Sequence, residues 1–185
     1  GAKAASMTPA GFEGYEASAR QVAADVLGPE RRERVLGCTP EADDAPDDVC
    51  AAAFVDAWAP LVLRRALREG EADQYVALAR AAAQTVGDFY AGLSAVLVGW
   101  LLSPDFLFIQ ERATAQEGPE SGQRLTGQAL ASRLSYFLWN RGPDTALLQA
   151  AGDGALETDA GYRAQLERLL ADDARMEQGL RALFA

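Results

Sequence analysis

Apolar residues in this chain recur at steps of three and four, and no run alternates apolar with polar. That regularity decides the fold class, because side chains share a face every 3.6 residues in a helix and every two in a strand. β-Branched residues are few, no Asn-Gly hairpin signal occurs, and alanine, leucine, arginine and glutamate dominate, which favours helix. The expected fold is all-α, with seven to eight helices in two packed helical sub-bundles.

The first helix is expected to open at Thr8-Pro9, a side-chain cap followed by proline at the first helical position. Phe12, Tyr15, Ala19, Val22, Ala23 and Val26 give it one apolar face, and Gly28-Pro29 ends it. Residues 29–46 read as an irregular acidic connection. Pro46-Asp47-Asp48 opens the next helix with acids at its positive end. Phe54, Val55 and Trp58 line its inner side, and Pro60 ends or kinks it. A third helix is expected over 70–85, before Gly87, and a fourth from Asp88 to Leu102, stopped by Ser103-Pro104. Further helices are expected over 125–140, 144–151, 159–171 and 173–184.

The polar, aperiodic stretch RATAQEGPESGQR at 112–124 reads as a linker. It separates an N-terminal helix and connection (1–37) and a first helical module (38–111) from a second module (125–185). The last helix carries Leu180, Leu183 and Phe184 to its end, so the second module is expected to continue or to pack on something. A start at Gly1 without a secretory leader reads as a processed product or a piece of a longer protein.

Charge and residue inventory exclude several kinds of chemistry. Net charge is −10, from 27 acids against 17 bases, a field that repels nucleic acid and anionic lipid. The longest apolar run, Leu93 to Leu102, is too short for a membrane span. Histidine is lacking altogether and no CxxCH motif occurs. The commonest general base, metal ligand and haem ligand therefore go together. No cofactor and no metal is expected in this chain. No nucleotide-binding loop or nucleophile elbow is found either.

Four features remain. Cys38 and Cys50 are twelve apart, one in a loop and one in the first turn of a helix. They are either bridged, which stabilises by roughly 3 kcal/mol through loop entropy, or two separate buried thiols. No ligand set exists to make them a metal site, and a bridge implies an oxidising compartment. Arg64, Arg65 and Arg68 are either an anion site or ion-pair partners of Glu69, Glu71 and Asp73. Paired acids such as Asp43-Asp44 and Asp172-Asp173 read as caps and solvated faces. Arg133 lies in ASRLSYFLWNRGPD, with Leu130, Leu134, Phe137 and Leu138 as the expected inner face and Tyr136 and Trp139 pointing elsewhere. A helix covered nearly all round would bury that arginine, and a buried arginine needs a carboxylate. Asp144 and Asp105, each beside a proline, are the candidates; a substrate-binding arginine is the other reading.

Two stretches together carry a resemblance. One is Arg64-Arg65-Ala66-Leu67 with Glu69 and Glu71, followed by LLSPDFLF at 101–108; the other is ALASRLSYFLWNRGPDTALLQAAGDGAL at 129–156, followed by LERLLADDAR. They resemble two adjoining domains of unknown function, of the 1595 and 1592 types, from large extracytoplasmic cytochrome-associated proteins of planctomycetes and myxobacteria. Cys38 and Cys50 match a cysteine pair at the front of the first of these domains. The family usually has Arg-Arg-Pro where this chain has Arg64-Arg65-Ala66.

The resemblance implies a periplasmic or secreted location. It implies a non-haem module that scaffolds or docks haem-bearing domains or subunits of the same assembly, with haem c in those partners. A structural subunit without a redox role, and an enzyme built on acids and arginines, stay open beside it. No catalytic residue is implied.

Overall fold

The computed structural model describes residues 8–108, 113–115 and 123–184. The protein is all-α. Among the described residues there are ten helices, eight of seven residues or more. They are α1 (Pro9–Val26), α2 (Arg32–Leu36), α3 (Asp48–Leu63), α4 (Glu71–Val86), α5 (Phe89–Leu101), α6 (Pro104–Leu107), α7 (Gly127–Trp139), α8 (Thr145–Gly152), α9 (Asp159–Leu170) and α10 (Asp173–Leu183). A short 3-10 turn, Ala155–Glu157, separates α8 from α9. Strands β1 (Ala113–Ala115) and β2 (Gln123–Leu125) pair antiparallel, with Ala113 opposite Leu125. This ribbon occupies part of the stretch expected to be a linker.

Local chemistry sets most helix starts. Thr8 Oγ1 accepts from the Gly11 amide at 3.1 Å, and Asp88 Oδ1 accepts from Ala91 at 2.9 Å. Thr126, Asp144 and Asp172 cap α7, α8 and α10 in the same way. Each cap satisfies an N–H that the helix leaves unpaired. α2 lies inside the connection expected to be irregular. α3 does not end at Pro60; it runs on to Leu63, and Arg64 then turns left-handed at φ 57°.

The chain forms two compact units. Unit 1 is the chain up to Ala57 together with Arg68–Leu107; unit 2 is Trp58–Leu67 together with the chain from Phe108. The division falls inside α3.

In unit 1, α4 and α5 fold back on one another across Gly87-Asp88. Their backbones meet at Gly92, where an added Cβ would lie 2.4 Å from the Ala79 carbonyl oxygen and 2.9 Å from Ala83 Cβ. Phe54 of α3 stacks on Trp100 of α5 at 5.5 Å between ring centroids, and Tyr75 of α4 meets the same indole edge-on at 5.4 Å. α1 packs on α5, but through its small residues. Ala19 and Ala23 are buried, whereas Phe12, Tyr15 and Val22 of the expected apolar face are exposed.

Unit 2 is built around Ala131, Leu134, Leu138 and Trp139 of α7, Leu147, Ala150 and Ala151 of α8, Leu156, and Leu169 of α9. The Trp139 indole N–H donates to the Leu169 carbonyl at 3.1 Å, which lets a large ring be fully buried with its polar atom satisfied. The inner face of α7 differs from the expected one. Phe137 is 87% exposed, while Ala131 and Ser135 are fully buried. α10 comes very close at the C-terminal end of α7: an added Cβ at Gly179 would lie 2.1 Å from the Leu138 carbonyl oxygen.

Candidate functional site

A well-connected polar group in unit 2 centres on Asp144, at the mouth of α8. Its Oδ1 accepts from the Leu147 amide at 2.9 Å and so caps the helix. Arg168 of α9 grips both carboxylate oxygens, Nη1 to Oδ2 at 2.8 Å and Nη2 to Oδ1 at 2.9 Å. Arg175 of α10 donates to Oδ2 at 3.0 Å. Such a fork on a carboxylate is the strongest of ordinary side-chain pairings.

Arg175 also lies 3.3 Å from Asp172, the cap of its own helix, and its guanidinium sits 4.6 Å above the Trp139 ring. Arg168 takes a further acceptor, Gln165 Oε1, at 2.8 Å. One carboxylate thereby joins α8, α9 and α10 over the indole of α7.

Electrostatics follow from this geometry. Burial pushes the Asp144 carboxyl up. The Arg168 hydrogen bonds, the Leu147 amide, the Arg168 charge and the Arg175 hydrogen bond together pull it down further, so it titrates below its ordinary range. Asp144 is therefore a permanent anion at neutral pH, with both oxygens occupied. That is the arrangement of a clamp. A general acid needs a raised pKa, and a nucleophile needs a free oxygen.

Arg133 was expected to be buried on α7 and to pair with Asp144 or Asp105; the burial is corrected. Arg133 is exposed on α7, and Asp144 serves Arg168 and Arg175. The physical reason is which face of α7 is buried. Positions 131, 134, 135 and 138 point inward, and 133 and 137 fall on the opposite side. Asp105, the other candidate acid, lies in the first turn of α6 in unit 1. Arg168 and Arg175 stood seven apart in LERLLADDAR, with the capping Asp172 between them. The helix break at Asp172 between them means that their spacing gave no signal of a shared acceptor.

The Arg64-Arg65-Arg68 cluster is dispersed. Arg64 donates to the Tyr136 hydroxyl at 2.8 Å and to the Phe108 carbonyl at 3.1 Å. Its side chain lies 3.9 Å from where a Cβ on Gly142 would be. Arg65 is buried and donates to the Ala66 carbonyl. Arg68 stays in unit 1, 3.7 Å from Glu71, whose oxygens also accept from the Arg68 amide and the Tyr75 hydroxyl. Arg64 and Arg65 thus reach backbone carbonyls and a tyrosine, and Arg68 pairs with Glu71, one of the expected acids.

In unit 1, Cys38 and Cys50 are joined, with Cα atoms 5.8 Å apart. The bridge pins the loop before α3 to its first turn. Other contacts hold the same loop. The Phe89 amide donates to the Asp43 carbonyl at 2.8 Å, and the Tyr90 hydroxyl donates to Asp43 Oδ1 at 3.1 Å. Arg32 lies 4.0 Å over the Tyr90 ring and 3.6 Å from Asp43. Burial, reinforced by the Asp43 hydrogen bond, pushes the Tyr90 phenol up. A cleft of about 220 Å³ opens here, lined by Arg32, Thr39, Asp43, Tyr90 and Cys38 among others.

Thiol labelling of unfolded, unreduced protein should give no labelled cysteine; two labels per chain would contradict the bridge.

Among the described residues, no group of three or more His, Cys, Asp or Glu side chains is placed to hold a metal. No described helix is long and apolar enough to cross a membrane.

Two family descriptions match the sequence. PSD5, Protein of unknown function (DUF1595), matches residues 50–111, and PSD4, Protein of unknown function (DUF1592), matches residues 125–185. No curated protein and no solved structure matches the chain significantly. The chain carries the DUF1595 and DUF1592 domains side by side.

Proposed function

We propose that the chain is a non-haem helical module of an extracytoplasmic, c-type-cytochrome-associated redox protein, and that it holds or docks the haem-bearing parts of that assembly. The Cys38–Cys50 bridge is the observation that carries the location, because structural disulfides persist in oxidising compartments. The adjoining DUF1595 and DUF1592 domains support the assembly context through the resemblance described above. The closed hydrogen-bond set around Asp144 supports a scaffolding role over an enzyme built on acids and arginines.

An absorbance spectrum of the protein isolated natively in its complex tests this reading. A Soret band co-purifying in fixed proportion to the chain is the expected result. A colourless complex would contradict it and would leave a structural subunit without a redox role.

A further inference from the structure

We propose that the Cys38–Cys50 bridge is a thiol-exchange site, opened from the cleft beside Arg32 and Tyr90 by attack of a dithiol reductant on Cys38. The two sulfurs differ in access. Cys50 is 3% exposed and faces the core of unit 1, whereas Cys38 is half-buried and forms part of the cleft wall. Exchange requires the incoming thiolate to reach the sulfur it attacks, so only Cys38 is open to it.

The cleft has the right scale. About 220 Å³ accommodates a cysteine side chain and part of its peptide, since one water occupies roughly 30 Å³. Its charge is balanced for the purpose. Arg32 supplies a cation in a protein of net charge −10, against the carboxylates of Glu33 and Asp43 in the same wall.

The chemistry is a pair of displacements. The reductant's thiolate bonds to Cys38 Sγ, the Cys38–Cys50 bond breaks, and its electron pair leaves on Cys50 Sγ, which takes a proton from water. The second sulfur of the reductant then displaces Cys38. The reductant ends as its own disulfide, and the two cysteines have gained two electrons. Segment 38–50 is the element released, and through Asp43 it grips the start of α5 at Phe89 and Tyr90. Opening the bridge therefore loosens one attachment of that helix.

The experiment uses the native chain and reduced glutathione as the attacking thiol. After acid quench, the protein is unfolded, alkylated and mapped by peptide mass. The glutathione adduct is expected on Cys38, with Cys50 carrying the alkyl group. An adduct on Cys50, or no adduct until denaturant is added, overturns the proposal. Thr39→Trp, at an exposed position in the cleft wall, should slow the native reaction roughly fivefold or more by limiting access, and leave the rate in denaturant unchanged. A parental rate for Thr39→Trp in the native state would show that the cleft is not the route.

Discussion

Asp144→Ala is expected to destabilise unit 2 by about 3 kcal/mol, the sum of a lost helix cap and an opened ion cluster. Loss of the cap exposes the Leu147 amide, which typically costs about 1 kcal/mol. Breaking a fully buried pair costs roughly 3–5 kcal/mol, because the partner charge stays behind. Here the side chains are 23% exposed for Asp144 and 35% and 36% for the two arginines. Water can reach the stranded arginines, so the cost sits below that range. Arg181→Ala removes an exposed pair with Glu177 and should cost well under ~1 kcal/mol. Urea denaturation of the three proteins makes the comparison.

The same carboxylate makes a pH prediction. Its folded pKa is lowered, so its contribution is present above the unfolded value near 3.9 and is lost as pH falls through the folded value. The stability gap between parent and Asp144→Ala should stay constant near neutrality and shrink below about pH 4. A gap that widens in acid would reverse the sign and contradict a lowered pKa.

Gly92→Ala and Gly99→Ala should have opposite effects on one helix. At Gly92 the new methyl would meet the Ala79 carbonyl oxygen at 2.4 Å and Ala83 Cβ at 2.9 Å. Neither obstacle is a flexible side chain, so α4 and α5 must separate. Overpacking of a tight contact costs about 1–3 kcal/mol, with backbone obstacles at the upper end. Gly99 lies on the same helix, exposed, with nothing within 4 Å of its added Cβ. Alanine there should stabilise by about 0.5–1 kcal/mol, the difference in helix propensity. Thermal unfolding midpoints of the two variants should fall on opposite sides of the parent. A harmless Gly92→Ala would mean that the two helices do not touch there.

The helix starts at Thr8, Asp88, Asp144 and Asp172 are legible because a cap acts on an amide three residues away. The five residues of α2 span little more than one turn, too little to show a period. The run of α3 through Pro60 depends on neighbours that local preference does not include.

The error on α7 has a different origin. Helical spacing admitted Phe137 beside Leu134 and Leu138, but the buried face also takes Ala131 and Ser135 and leaves Phe137 outside. With Phe137 outside, Arg133 is outside too. Asp144 was legible as a carboxylate in need of arginine. Which arginine reached it was a tertiary fact, decided by how α9 and α10 pack on α7. The cleft beside Cys38 was not legible, since its lining comes from α2, the loop after it and the start of α5.

The central structural claim is that Asp144, Arg168 and Arg175 act as one clamp rather than as a site with a free acid. A double-mutant cycle on Asp144→Ala and Arg168→Ala tests it most directly. For groups that share two hydrogen bonds, the double variant should lose less than the sum of the single losses, by roughly 1–3 kcal/mol. Additivity within about 0.3 kcal/mol would mean the two side chains do not depend on one another, and the clamp would be contradicted.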